Sequence, residues 1–303
     1  MEKRRKVSFL NINNYLWCSN LIPNFRTPYL ALARTFQIIE ETSGRLLMIE
    51  ILSNYFRSVI VLSPNDLLPS VYLCLNKLAP AHEGIELGLA ETNIMKAIAQ
   101  TTGRSFAQIK QDCQDTGDMG IVAERSKSSQ RMMFTPAPHT VEAMFTKLKN
   151  IAKMSGTTSM QKKVDTIKGI FVACRHSEAR FFVRSLLGKL RIGIAEQSLL
   201  QALSQAVALT PPILNKEEPY TLHALKGKNE VQIKAKVDEI ALIIKTTYCQ
   251  CPDYDQIVPI LIEDGYEALP KKCGMRTGIP IKPMLAHPTK VSIKLFCVTI
   301  IRS

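Results

Sequence analysis

The residues with the clearest chemical purpose lie between Lys147 and Arg191. That stretch carries eleven Lys and Arg against two acids, Asp165 and Glu178, a net of +9 in a chain whose formal charge is +13. Apolar residues at helical spacing interleave the charge (Ile151, Val164, Ile167, Phe171, Phe181, Phe182), and Gly156, Gly188 and Gly193 punctuate it. Helix N-termini present unpaired N–H groups to anions, and Lys and Arg add charge, so glycine-led helix starts flanked by cations suit a surface that meets phosphates. Two such starts occur. In the first, Lys189 and Arg191 flank a helix junction, Gly193 permits close backbone approach, and a helix from Ala195 points its N-terminus at the same place. The second is Gly156-Thr157-Thr158-Ser159, followed by Lys162 and Lys163. The competing reading is the solvated face of an ordinary helical domain.

The elements that must position these residues read as helices. Thr27-Pro28 opens one, with proline at its first position, and Arg45 to Leu62 continues in helical register. Ser63-Pro64 starts another that runs to about Leu78. Glu91–Thr102 and Ser105–Thr116 end at Gly103 and Gly117, where glycine belongs. Residues 126–138 are a polar, proline-marked connector. Helices follow at about 140–154, 159–175, 177–190 and 195–209, with Thr158 and Gln161 spaced as a capping box. After Pro211-Pro212 comes a polar linker to Gly227, then helices to Tyr248 and from Asp253 to Asp264. Strand signals are confined to the last thirty residues. The fold class is all-α.

Composition bounds the function. At 303 residues and 46% hydrophobic content the chain can bury one large core or two modest ones. It has no apolar run of the roughly 18 residues that would cross a membrane. The start lacks the features of a secretory signal, and Lys3-Arg4-Arg5-Lys6 allows a nuclear-import reading. The eight cysteines form no framework, which suits a reducing compartment. Cys249, Cys251, Cys273 and His287 match no structural zinc spacing, so no metal is expected. His176 reads as a structural or capping residue, and Phe181, Phe182 and Cys174 read as core.

Several blocks, in order, resemble one family: YLALARTF (29–36), ETSGRLLMIEILSNYFRSVI (41–60), LSPNDLLPSVYLCLN (62–76), TTGR (101–104), RHSEARFFVRSLLGKLRIGIAEQSLLQALSQAV (175–207) and GIPIKPMLAHPT (278–289). The chain is similar to the DNA-binding domain of ATP-dependent DNA ligases, of the eukaryotic replicative type, from about Pro28 to Thr289. The resemblance implies an all-helical module that wraps the minor groove of nicked DNA in replication, repair and recombination, in the nucleus. It places the DNA contacts on Lys189, Leu190, Arg191, Ile192, Gly193, Ile194, Ala195, Glu196, Gln197 and Ser198, with a further contact at Arg45. Without the resemblance, Arg45 could equally pair with Glu41 or Glu50 on its own helix.

The chain also departs from the family. The family takes AMP from ATP, with magnesium, on the lysine of a Lys-x-Asp-Gly motif. This sequence contains no such string, and it leaves the family pattern at Val291. Residues 1–27 match poorly, and no sliding-clamp motif is found. The expected organisation is a divergent segment 1–27, a helical DNA-binding domain 28–265, a lead-in 266–290 and a divergent tail 291–303. The expected protein is a monomer with no cofactor or catalytic residue of its own, which binds duplex or nicked DNA without sealing it. The alternative is a helical scaffold for an acidic protein partner.

Overall fold

The computed structural model describes residues 26–128, 136–156, 159–210, 230–275 and 281–282. The polar linker after Pro212, the cap residue Thr158, His287, residues 1–25 and the tail 291–303 lie outside them. Among the described residues there is no strand, only an isolated bridge between Pro28 and Thr140. The helices are α1 (Tyr29–Glu40), α2 (Arg45–Leu62), α3 (Leu67–Leu75), α4 (Glu91–Thr102), α5 (Phe106–Thr116), α6 (Met119–Ser128), α7 (Val141–Lys153), α8 (Ser159–Ala173), α9 (Ser177–Leu186), α10 (Glu196–Leu209), α11 (Glu230–Gln250), α12 (Tyr254–Glu263) and α13 (Leu269–Lys272), with short 3-10 turns at Pro64–Asp66, Ala81–Glu83 and Tyr266–Ala268.

Local chemistry sets most of these boundaries. Ser105 accepts from the Gln108 amide at 3.2 Å while Gln108 accepts from the Ser105 amide at 3.3 Å, a reciprocal cap for α5. Gly103 and Gly117 end α4 and α5 with φ of 69° and 66°. Pro28 stands at the cap of α1, one position before the helix proper, and Gln161 reaches forward to Asp165 at 3.2 Å.

Three elements differ from expectation. Ser63-Pro64 begins a 3-10 turn, and the α-helix after it stops at Leu75 because Asn76 takes the left-handed conformation, φ 54°. Helix α6 occupies a place where the sequence suggests no helix. The helical packing also continues past residue 265, since Leu269 and Cys273 are fully buried against α11 and α12.

Helix α2 runs against α10, α9 lies on α6 and α1, and α8 packs on α4. Phe36 meets Phe181 edge-on at 5.3 Å, and Phe181 and Phe182 are wholly buried, as their spacing suggests. Cys174 is a core thiol, and burial pushes its pKa up.

Within this core sits one large cation. Arg184 of α9 is 1% exposed. Its Nη1 and Nη2 donate to Glu40 at 2.9 and 2.7 Å, and its Nε and Nη2 donate to Asp118 at 3.0 and 2.6 Å. Arg180, one turn earlier, bridges Glu124 and Glu40 at 2.6 and 3.3 Å. Asp118 also accepts from the Gly120 amide at 2.8 Å, so one carboxylate caps α6 and pins it to α9. Burial works against ionisation of Glu40 and Asp118, but the Arg184 hydrogen bonds and charge outweigh it and hold both carboxyls below their ordinary values. Gly120 is required here: a Cβ would stand 2.8 Å from the Arg180 carbonyl and 2.9 Å from Arg184 Cγ.

Removing one partner of a buried pair leaves the other charges uncompensated, at about 3–5 kcal/mol. Arg184→Ala should lower unfolding free energy by about that amount. Arg184→Lys should recover only part of it, because a point charge cannot fork to two carboxylates. A loss below about 1 kcal/mol in urea denaturation would show that the network does not hold α1, α6 and α9 together.

Candidate nucleic-acid interface

The first basic helix start is a tightly specified turn between α9 and α10. The Lys189 amide donates to the Arg184 carbonyl at 3.1 Å and the Gly188 amide to the Ser185 carbonyl at 3.1 Å, with Gly188 at φ 78°. That is a Schellman ending, and it reverses the chain. Arg191 then takes φ 56°, left-handed for a non-glycine residue, and Gly193 takes φ 70°. Arg184 Nη1 donates to the Leu190 carbonyl at 3.2 Å, so the buried cation also anchors this turn.

The ten residues assigned here by resemblance divide by burial. Lys189, Arg191, Gly193, Ala195 and Gln197 are exposed, and Ile194 is half-buried. Leu190 and Ile192 are 7% and 4% exposed, and their side chains belong to the core. Ser198 is buried and accepts from Arg45 Nε at 3.2 Å. That bond sets the start of α2 beside the start of α10, and neither Glu41 nor Glu50 is a recorded partner of Arg45. Met48, one turn along, reaches the turn itself, its Cε 4.0 Å from where a Gly193 Cβ would stand.

Ala195 caps α10 and offers no side-chain acceptor to the helix amides. Glu196, the first helical residue, turns away from them. Its carboxylate accepts from Lys77 Nζ at 2.7 Å, from Lys282 Nζ at 2.6 Å and from the Tyr248 hydroxyl. Burial opposes its ionisation, but these three donors outweigh that, and its pKa falls from 4.5 to about 2. The opening of α10 therefore has an uncapped N-terminus and exposed cations, with its acid neutralised on the other side.

A family model described as "DNA ligase N terminus" matches residues 28–204, more than half of the chain. This protein belongs to the DNA ligase family. It is 53% identical over 283 residues to DNA ligase 1 of Drosophila melanogaster, covering 93% of this chain and 36% of that relative. DNA ligase 1 of Saccharomyces cerevisiae is 39% identical over 279 residues, 92% of this chain and 35% of the relative. DNA ligase 2 of Thermofilum pendens is 31% identical over 268 residues, 86% of this chain and 39% of the relative. The chain thus spans little more than a third of the length of these relatives.

The second basic start of the ligase domain is less complete. Thr157 and Thr158 lie outside the described residues. Gly156 is exposed at φ 105°, Ser159 is half-buried with its amide on the Gly156 carbonyl at 3.1 Å, and Lys162 is exposed. Lys163 corrects the expectation that it meets phosphate: it is 7% exposed, and its Nζ donates to the Leu87 carbonyl at 3.0 Å. Helix α8 packs on α4, whereas α10 packs on α2 and α11, so the two starts rest on different layers. His176 stands exposed at the N-cap position of α9 with φ 45°, and it makes no side-chain hydrogen bond to the helix.

Sequence reasoning missed Lys77, Tyr248 and Lys282. They stand 119, 52 and 86 residues from Glu196, and no local pattern signals them. Among the described residues no group of three or more His, Cys, Asp or Glu is placed to hold a metal, and no helix is long and apolar enough to cross a membrane.

A carboxyl whose folded pKa lies below its unfolded one contributes stability above the unfolded value and loses it as pH falls through the folded one. The Glu196 cluster should therefore be at full strength near neutral pH and fade between 4.5 and about 2. Glu196→Gln should lower stability by on the order of 2 kcal/mol at neutral pH. Its gap from wild type in thermal midpoint should close across that acid window. A gap that does not change with pH would show that the shift of Glu196 has another origin.

Proposed function

We propose that this ligase domain binds duplex or nicked DNA through its sugar–phosphate backbone and minor-groove shape, with little sequence preference. The observation that carries the reading is the turn from Gly188 to Ala195. Its exposed Lys189 and Arg191 stand before an uncapped α10, and the neighbouring acid is drawn away by Lys77 and Lys282. An anion arriving there meets charge and helix amides together. Arg45 joins the same surface through Ser198. Belonging to the ligase family supports DNA as the anion, and replication, repair and recombination in the nucleus are the processes in which such a module would act.

The proposal for this 303-residue chain is binding without chemistry. Lysine–AMP formation needs a nucleophilic amine held beside the α-phosphate of ATP, with cationic groups and metal on the departing pyrophosphate. The sequence carries no Lys-x-Asp-Gly string. Among the described residues, Lys77 and Lys282 pair with the Glu196 carboxylate and Lys163 donates to a carbonyl. Incubated with α-labelled ATP and magnesium, the chain should remain unlabelled on a denaturing gel. A labelled band that maps to a single lysine would overturn this half of the proposal.

Each phosphate neutralised contributes about −0.9 to the slope of log K against log salt on duplex DNA. Arg45, Lys162, Lys189 and Arg191 are the exposed cations of the two starts, so the slope should lie at about −3 to −4. Arg191→Ala should weaken all duplexes alike and make the slope shallower by about one. Affinity that ignores salt would reject the phosphate surface and favour an acidic protein as partner.

A further inference from the structure

Among the described residues Leu46 is the most exposed large apolar side chain, at 81%, and it follows Arg45 in the first turn of α2. Single exposed leucines are ordinary on protein surfaces. Two contacts set this one apart. Arg45 Nε is hydrogen-bonded to Ser198 at the start of α10, and Met48 Cε lies 4.0 Å from the Cβ position of Gly193. The first turn of α2 and the cationic turn thus form one continuous edge. Residues 43–47 are all exposed, so the first turn of α2 stands clear of the core and presents Leu46 to solvent on the same turn as Arg45.

An edge that offers cations and a leucine together matches a ligand whose anionic and apolar surfaces alternate at the same spacing. The duplex minor groove is such a surface: phosphates line its rims, and the carbon faces of the sugars form its walls. We infer that Leu46 reads the sugar, packing on deoxyribose in the minor groove and disfavouring ribose. This rests on the DNA-binding reading above and adds a specificity residue to it. The physical reason is desolvation. In an RNA strand the groove displays 2′-hydroxyls, and a hydroxyl covered by a leucine loses its water without gaining a hydrogen bond. A serine at this position would remove that penalty and supply a partner.

The test compares wild type, Leu46→Ser and Leu46→Met, by fluorescence anisotropy at one salt concentration, on a DNA duplex and on a DNA–RNA hybrid of the same sequence. One or two buried methylenes correspond to about a 4- to 15-fold change in affinity. Leu46→Ser should weaken DNA binding within that range and narrow the preference for DNA over hybrid by at least about 3-fold. Leu46→Met, still apolar, should keep the preference. The ratio of ratios removes the general penalty for hybrid helix shape, which all three proteins share. Because Leu46 is exposed, thermal midpoints should coincide, and affinity changes then report contact rather than folding. If Leu46→Ser retains the wild-type preference while wild-type binding remains salt-dependent, the sugar-reading role is wrong and the DNA reading stands. If wild type shows no salt-dependent duplex binding, both fall together.

Discussion

A guanidinium removed from water holds this domain together. Arg184 is enclosed by α1, α6 and its own helix, and its charge is tolerable there only because Glu40 and Asp118 meet it in forked hydrogen bonds. The demand runs outward from that point. Helix α6 must approach α9 closely enough for Asp118 to reach, and that approach leaves no room for a Cβ at residue 120. The remaining donor capacity goes to the Leu190 carbonyl, so the same cation that satisfies the core also holds the turn that faces solvent. Isolated buried ion pairs are weak arguments for stability. This one gains its importance from geometry: one planar group fixes three helices and one loop.

The network also changes how the basic stretch from Lys147 to Arg191 is understood. Counted as charge, eleven cations look like one surface. In the fold most of them have structural employment. Arg184 and Arg180 bind carboxylates, and Arg175 donates to the Pro136 carbonyl at 2.7 Å. Lys163 donates to Leu87, Lys168 pairs with Asp165, and Lys149 lies over the ring of Phe145 at 4.7 Å. Lys153, Lys162, Lys189 and Arg191 remain exposed. The exposed charge of this stretch is thus carried by four residues rather than eleven.

Local signals were legible in the sequence, and long-range ones were not. Helices α4 and α5 end at their glycines, as the sequence indicates. The apolar spacing of Phe181 and Phe182 marked them as core. The sequence marks no helix at α6, whose Gly120 allows close approach to a helix some sixty residues away, a purpose that no local pattern signals. The 3-10 turn and α13 after Gly265 fall inside the lead-in expected at 266–290, because elements of three or four residues carry no periodic signal. At the interface, glycine and cation spacing pointed to the turn. Periodicity could not separate Lys162 from Lys163, one exposed and the other buried, because which neighbour faces inward depends on where α4 lies.

Arg191 shows how the interface and the core share one cost. A non-glycine residue at φ 56° carries strain of about 1–2 kcal/mol that glycine in its place would relieve. The turn tolerates it because both flanks are fixed independently: Leu190 and Ile192 are buried on either side, and the Leu190 carbonyl is held by Arg184. Arg191 Nη1 also remains 3.9 Å from Asp118, so its guanidinium stands between the buried carboxylate and solvent. Glycine would ease the backbone and lose an exposed cation that stands 3.9 Å from Asp118. Arginine at this position therefore combines a disfavoured backbone conformation with a side chain 52% exposed, next to an uncapped helix and within reach of a buried carboxylate.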